Sequence, residues 1–549
     1  MQLAELLKAR LRGDVLTDSE TRTRYSRDTS VFERTPEVVV FPKDADDVSA
    51  LVKVIGEERR AGRPVSLAAR SAGTDMSGGP LTDSVVAVFT KHMNKILEVG
   101  DGYAVAEPGA FYRDFEKQTL ACGNQILPSY PASREIAAIG GIVNNNAGGE
   151  RTLEYGKTER YVEELEVVLS NGSFATFKAL SAEELKEKKE LNTLEGKIYR
   201  EMDELLIKHA ELIASAKPKV TKNSAGYALW NIKKGGTFDL AQLITGAQGT
   251  LALTTKMKLG LIKNQGHRSM LVMFLSDLSH LPEIVRKVLP FNPESLESYD
   301  DHTFKIAVRL LPGLLSQLGF LKAVRLAFSF LPEFLTVLTG GVPKLVLMAE
   351  FSEDSHAEAL RKARAAAEAS RGLATSVRLL KNEQASEKYW IVRRESFSLL
   401  RKNAKGLYAA PFIDDFAIPP DSIPEFWPKL TTLLKEYEGR FIYTVAGHVG
   451  DGNFHIIPLM DLSRPEVRQV ILELAPRVYE LVLAFGGTTT GEHNDGIIRT
   501  PYLPMQFGEN VVQLFEETKR IFDPENILNP GKKVGGTFSD IEGSLIKGV

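Results

Sequence analysis

The chain has 549 residues, too many for one ordinary core, so two or three domains are expected. Hydrophobic residues make up 43% and charged residues 25%, the profile of a soluble globular protein, and a net charge of only −3 argues against nucleic acid as a partner. The single cysteine, Cys122, excludes an intramolecular disulfide framework and any all-cysteine zinc or iron–sulfur site, and it fits a reducing compartment.

Taken in chain order, "MQLAELLKARLRGD" reads as a short amphipathic helix whose apolar run is too short for a secretion signal. "PEVVVFP" and "SVVAVF" read as strands, and "DADDVSALVKVIGEERRAG" as a helix opened by an acidic cap and closed by glycine. "YVEELEVVLSNGSFATF" reads as two strands joined at Asn171-Gly172, and "SAEELKEKKELNTLEGK" as a solvated charged helix or loop. Alternating character of this kind runs to about residue 264, and a second α+β block follows. "ENVVQLFEETKRIFDPENILNPGK" reads as a helix ended by Asp523-Pro524 and then an irregular arm. Domains are expected at 1–264, at 265–490 with an apolar insertion at 302–345, and at 491–549, a segment returning to the first domain.

The insertion is strongly apolar with a few basic residues. It is no membrane span, because its longest uncharged stretch, Leu310 to Leu321, has 12 residues and contains Pro312 and Gly313. Two readings stand: buried or interface helices, or an amphipathic segment lying on a membrane or partner surface through Lys305, Arg309, Lys322 and Arg325.

Three glycine-rich stretches follow strand-like runs: "RSAGTDMSGG" at 70–79, "LPSYPASREIAAIGGIVNNNAGGERTLEYG" at 127–156, and "LITGAQGTLALTT" at 243–255. None has the Walker or Rossmann spacing. Uncovered backbone N–H groups suit a phosphate nest, and small residues beside amides suit the close approach of a flat ligand.

Near the other end, "AGHVGDGNFHIIPL" holds His448 and His455 either side of a glycine-rich turn. An odd offset would put them on opposite faces of one strand, but a reversal at Asp451-Gly452 brings both imidazoles together. "GGTTTGEHNDG" offers Glu492 as a third ligand beside His493. Two imidazoles and a carboxylate leave open positions on a divalent metal.

These segments resemble a known family. The three glycine-rich stretches look like the FAD-binding domain of the vanillyl-alcohol oxidase (PCMH) type, and "YSRDTSVF" is similar to its lead-in. "AGHVGDGNFH", "GTTTGEHNDG" and "FDPENILNPGK" resemble the C-terminal domain of FAD-linked D-2-hydroxyacid dehydrogenases, which include D-lactate dehydrogenase, the flavin subunit of glycolate oxidase and D-2-hydroxyglutarate dehydrogenase. The resemblance covers about residues 20–265 and 385–535. It implies an α+β fold with an FAD domain and a cap domain carrying an antiparallel sheet. It implies that Arg70, Ser71, Ala72, Gly73, Thr74, Ser77 and Gly78 hold the pyrophosphate. Pro131, Ser133, Ile139, Gly140, Gly141, Asn145, Gly148 and Gly149 would line the flavin and ribityl region, completed by Gly249, Thr250 and Asn529. Relatives that bind FAD covalently use a histidine in the first loop. Arg70-Ser71 stands there, so noncovalent FAD is expected.

The resemblance further implies that His448, His455 and Glu492 hold a divalent metal (zinc, manganese or iron) and that His493 is the base. Arg394 of "YWIVRRESFSLL" would clamp the substrate carboxylate. Relatives commonly read G-E-H-G-x-G, whereas Asn494-Asp495 stand here, so an altered pocket charge is expected. The hydroxyglutarate branch has a lysine before its "DFAIP"-like segment, where this chain has Ile413. The expected reaction is oxidation of a D-2-hydroxy acid to the 2-oxo acid, with His493 taking the hydroxyl proton and flavin N5 the hydride. A quinone, a cytochrome or an electron-transfer flavoprotein would take the electrons, in the cytoplasm or at the inner face of the membrane. The alternative reading is an alcohol oxidase passing electrons to O₂.

Overall fold

The structure is a computed structural model that describes residues 2–264, 266–301, 341–381, 383–403 and 406–547, with side chains of the helix Glu383–Asn403 described only through 393. The fold is α+β. Nearly all of the apolar insertion expected over 302–345 lies outside the described residues. Among the described residues, no helix is long and apolar enough to cross a membrane.

A four-stranded sheet opens the chain, in the order Asp14–Leu16, Val38–Phe41, Val85–Val88, Leu67–Arg70. The first pair is antiparallel and the others are parallel. "PEVVVFP" and "SVVAVF" supply its two central strands, buried at every position, as a continuous β-branched run requires. The helix Ala45–Arg60 covers this sheet. Asp44 caps it by accepting the N–H of Asp47, and Gly62 follows it with φ +89°. Its buried face carries Val48, Leu51, Val52 and Ile55, each worth about 1.5–3 kcal/mol when removed from water.

A seven-stranded sheet packs beside it, with Val162–Val168, Phe174–Leu180 and Leu253–Gly260 near its centre. The hairpin forms at Asn171-Gly172, where Gly172 takes φ +79°. The charged stretch after it is helical over Ala182–Glu190, and the next helix, Leu194–Lys208, buries Ile198, Tyr199, Met202 and Leu205. The late helix Glu509–Phe522 buries Leu514, Phe515 and Phe522 in the same core, and it ends at Asp523.

The third sheet is antiparallel and has eight strands. Seven follow the order Ser376–Leu380, His267–Leu275, Leu345–Glu353, Ser295–Asp300, Ile442–His448, Asn453–Met460, Tyr408–Ala409, and Phe416–Ala417 also pairs with Asn453–Met460. Strand alternation assigns its two faces. Leu271, Met273 and Leu275 join a core with the helices Leu281–Val288, His356–Ala369, Ile423–Lys435 and Pro465–Ala484. Met270, Val272 and Phe274 pack instead with Tyr389 and Trp390 of the helix Glu383–Asn403. The sheet therefore holds that helix over the face that carries the histidines.

Candidate functional site

A cavity of about 1070 Å³ runs between the glycine-rich loops and the third sheet. From the loops it is lined by Ser71, Ala72, Gly73 and Thr74, by Pro131 and Ser133, by Gly140, Gly141, Asn145 and Gly148, and by Gly249. Backbone therefore forms much of its wall, and the close approach is structural. A Cβ at Gly140 would lie 2.7 Å from the Pro108 carbonyl oxygen. Asp75 shapes the first loop by accepting the N–H groups of Ser77 and Gly79, at 3.0 and 2.7 Å. Asn144 also lines the cavity, and its buried Oδ1 has no protein partner, so it is available to a donor on a bound ligand.

Seven residues expected at the cofactor stand behind this wall instead. Arg70 ends its strand with the guanidinium turned back on the Arg27 carbonyl, 2.7 Å away, and on the Tyr25 ring. Ser77 is buried and bonded to Asp75, and Gly78 packs against Phe32 and Ile497. Ile139 is a core residue, Gly149 sits against the Tyr130 carbonyl, and the Thr250 hydroxyl bonds Tyr227 and Ala247. Asn529 donates to the carbonyls of Gly79 and Gln248, at 3.0 and 2.8 Å, and so staples two of the loops together. Loop shape needs these residues, whereas the lining is mostly their neighbours.

The opposite wall carries the ionisable groups. The strands Ile442–His448 and Asn453–Met460 are joined by a tight turn at Val449–Asp451, with Gly452 at φ +65°. A Cβ at Gly452 would fall 1.9 Å from the Ile418 carbonyl oxygen, which explains the glycine. Register pairs His448 with Asn453 and Ala446 with His455, so both imidazoles share one face, their ring centroids 5.1 Å apart. His493 stacks on His455 with centroids 5.1 Å apart, and Glu492 Oε1 lies 3.3 Å from His448 Nε2. Ligand atoms of His448, His455 and Glu492 all lie within 4.8 Å of one another. Two further trios, Asp414–His455–His493 and Asp415–Glu492–His493, meet the same limit.

Sequence reasoning missed the carboxylates behind this cluster. Glu297 is directly opposite His448 in the neighbouring strand and lies 2.5 Å from its Nδ1. Asp414 reaches two rings, with Oδ1 3.0 Å from His455 Nδ1 and Oδ2 2.9 Å from His493 Nδ1. Carboxylates at Nδ1 leave Nε2 as the second ring nitrogen, turned towards Glu492 in His448, the arrangement that orients metal-binding and proton-accepting imidazoles. Asp415, at φ +69°, accepts the N–H of Glu492 at 2.9 Å, the N–H of His493 at 2.7 Å and the Thr490 hydroxyl at 2.6 Å. The adjacent acids in the apolar run "PFIDDFAIP" were the available signal. Arg499, fully buried, ties the same corner by donating to the Asp414 and Asn494 carbonyls.

Two buried lysines connect the walls. Lys222 pairs with Glu492 and lies 3.2 Å from Asp451. Lys157 donates to the Gly491 carbonyl at 2.7 Å, and burial lowers its pKa to about 8. Asn145, from the second loop, donates to the Glu492 carbonyl at 3.1 Å.

Electrostatics differ from ring to ring. Burial lowers the His448 pKa, but Glu297 outweighs it and carries the group up to about 9. Burial likewise opposes the charge on His493, yet Asp415 and Asp414 raise it to about 9. At His455 burial prevails over Asp414, and the pKa falls. Burial would raise Glu492, but Lys222 and His448 hold it well below the usual carboxylate range.

Asp495 does not enter the pocket. It is buried, 3.0 Å from Lys533 Nζ, and accepts the Gly226 N–H at 2.8 Å. Asn494 beside it takes φ +71° and donates to the Gly246 carbonyl at 2.8 Å. Ile413 is likewise buried in the cap core. The Arg394 side chain lies outside the described residues. Its neighbour Arg393 lines the cavity, 3.3 Å from Glu297.

Asp415→Ala removes the acceptor that fixes Glu492 and His493, leaving buried N–H groups without partners. The melting temperature is expected to fall by several degrees, consistent with a loss of about 3 kcal/mol. A thermal scan coinciding with that of the unaltered protein would deny Asp415 this role.

Residues 265–533 match the family described as FAD linked oxidases, C-terminal domain, and residues 36–178 match the FAD binding domain. The chain thus carries a C-terminal domain of the FAD-linked oxidase type behind an FAD binding domain. The chain is 28% identical to a D-2-hydroxyglutarate dehydrogenase of Pseudomonas putida, covering 96% of this chain and 51% of that one. It thus spans about half the length of the D-2-hydroxyglutarate dehydrogenases it matches. Identity is 26% to glycolate oxidase subunit GlcD of Bacillus subtilis, with 93% of this chain and 92% of that one covered. It is also 26% to a D-lactate dehydrogenase of Archaeoglobus fulgidus, covering 90% and 91%. The fold of the chain is that of 4-ethylphenol oxidase from Gulosibacter chungangensis, with a TM-score of 0.69 at 15% identity over 98% of this chain and 97% of that one. It is equally that of p-cresol methylhydroxylase, with a TM-score of 0.68 at 16% identity and the same coverage.

Proposed function

We propose that the protein oxidises a D-2-hydroxy acid to the 2-oxo acid, with noncovalent FAD and a divalent metal. The observation that carries this reading is that the cluster of His448, His455, Glu492 and His493 lines the same cavity as the glycine-rich loops. The relatives named as D-2-hydroxy acid dehydrogenases favour the same chemistry and supply the handedness.

The lining loops at 71–76, 131–148 and 248–249 would hold FAD, and their backbone-rich wall and large volume fit such a ligand. His448, His455 and Glu492 would hold the metal, since their donor atoms converge and carboxylates orient both rings. When bound, FAD accepts the hydride from the carbinol carbon and the metal makes the hydroxyl more acidic. His493 receives the hydroxyl proton while Asp414 fixes its ring. The carboxylate clamp is assigned to Arg393, because Arg393 lines the cavity. Lys222 neutralises Glu492 and Asp451 from behind and limits the negative charge that the anionic substrate meets. The electron acceptor would be a quinone, a cytochrome or an electron-transfer flavoprotein.

The function is tested by turnover with an artificial electron acceptor. D-2-hydroxy acids should yield the 2-oxo acid, and a metal chelator should abolish the activity. Oxidation of phenolic or simple alcohols alone, with O₂ consumed and no response to the chelator, would favour the alcohol-oxidase reading instead.

Noncovalent attachment has its own test. Arg70 occupies the position of the linking histidine and turns away from the cavity. Acid precipitation should therefore release the yellow chromophore into the supernatant, whereas colour retained in the pellet would contradict it.

A further inference from the structure

We propose that the substrate carries a single carboxylate and an apolar substituent on its carbinol carbon, and that Ile457, Trp390 and Ile391 select for that substituent. The inference rests on the hydroxy acid oxidation proposed above and names its substrate class.

The strands that carry the histidines continue along the same cavity wall. Alternate residues share a face, so Thr444 and Ala446 follow His448, and Ile457 follows His455. All of them line the cavity. Thr444 pairs with Ile457 one step beyond the pair of Ala446 and His455. That step is about 7 Å, the length of a short side chain extending from the reacting carbon. The wall at that distance is a methyl-bearing threonine opposite an isoleucine.

The helix Glu383–Asn403 closes the other side. Glu387, Trp390 and Ile391 line the cavity at spacings of three and four residues, so they form one helical face. Trp390 commits its only polar atom elsewhere, donating its indole N–H to Glu350 at 3.0 Å, and Glu350 is not a lining residue. What the side chain offers the cavity is apolar surface.

Charge points the same way. Among the described lining residues the only lysine or arginine side chains are Arg393 and Arg134. Arg393 lies beside Glu297, next to the histidine cluster, where the first carboxylate belongs. Arg134 belongs to the loop on the flavin side, 3.5 Å from Glu116 and 3.7 Å from Glu135. A second carboxylate at the far end of the substrate would meet Ile457, Trp390, Ile391 and the carboxylate of Glu387. Stripping water from a charge without a partner is unfavourable, and a like charge nearby adds to the penalty. An alkyl group at that place removes apolar surface from water on both sides.

The test compares a matched pair that differs only at the chain end: D-2-hydroxypentanoate ends in a methyl group, and D-2-hydroxyglutarate in a carboxylate. Measured as kcat/KM with an artificial acceptor, the pentanoate is expected to be preferred by roughly 100-fold. From D-lactate through D-2-hydroxybutanoate to the pentanoate, kcat/KM should rise about fourfold per methylene. Ile457→Lys should narrow the pentanoate-to-glutarate ratio at least about tenfold at unchanged FAD content, and Ile457→Asn should narrow it less. Should the lysine variant fail to fold, the unaltered protein and Ile457→Asn still decide. Preference for D-2-hydroxyglutarate, or equal use of the pair, would overturn the inference and leave the oxidation standing. No oxidation of any of the four acids would overturn the oxidation reading, and this inference with it.

Discussion

His493→Ala is expected to slow flavin reduction by roughly 10²–10⁴-fold, the usual worth of a positioned general base, with FAD and metal content unchanged. Three contacts fix where His493 stands. Its backbone N–H is bound by Asp415, its Nδ1 lies 2.9 Å from Asp414, and its ring stacks on His455. In its neutral form the ring keeps its proton towards Asp414 and Nε2 as the acceptor, and because Asp415 and Asp414 carry its pKa to about 9 that form gains weight as pH rises towards 9. Alanine deletes that acceptor but not the backbone N–H that Asp415 uses, so Glu492 keeps its place. Stopped-flow mixing with substrate reads the step directly, and binding of the 2-oxo product should survive. A variant reduced at the unaltered rate at every pH would remove His493 from the chemistry.

His448→Ala and His455→Ala are each expected to lose the metal while keeping FAD, and to lose turnover with it. Each variant deletes one of the three donors of the proposed ligand set. The loops of the FAD cavity lie on the opposite wall, and neither histidine appears in the hydrogen bonds that shape them. The two variants should differ in their secondary cost. His448→Ala leaves Glu297 with the Arg393 pairing, whereas His455→Ala leaves Asp414 still paired with His493. Elemental analysis and the flavin spectrum on the same sample separate metal from cofactor. Full metal occupancy in both variants would refute the ligand set.

Local signals carried much of this site, and register and side-chain reach carried the rest. The turn between His448 and His455 is readable because glycine takes the left-handed conformation of Gly452 most easily, and two alternating runs flank it. The glycine and asparagine loops are readable for the same reason. Glu297 is not readable, because its contact with His448 comes from pairing between strands 151 residues apart. Lys222 and Glu492 meet across 270 residues, and no spacing rule spans that distance. Asp495 was expected to charge the pocket, but it is consumed by Lys533 and the Gly226 N–H behind it. Arg70 and Asn529 show the related limit for loops: a residue can be required for a loop's shape without touching what the loop holds.

Anaerobic mixing of the purified protein with a D-2-hydroxy acid tests the central claim most directly. The account predicts that the oxidised flavin band bleaches with the D isomer, that the L isomer leaves it unchanged, and that one 2-oxo acid forms for each flavin reduced. A flavin that stays oxidised with every 2-hydroxy acid, while a chemical reductant still bleaches it, would contradict the account.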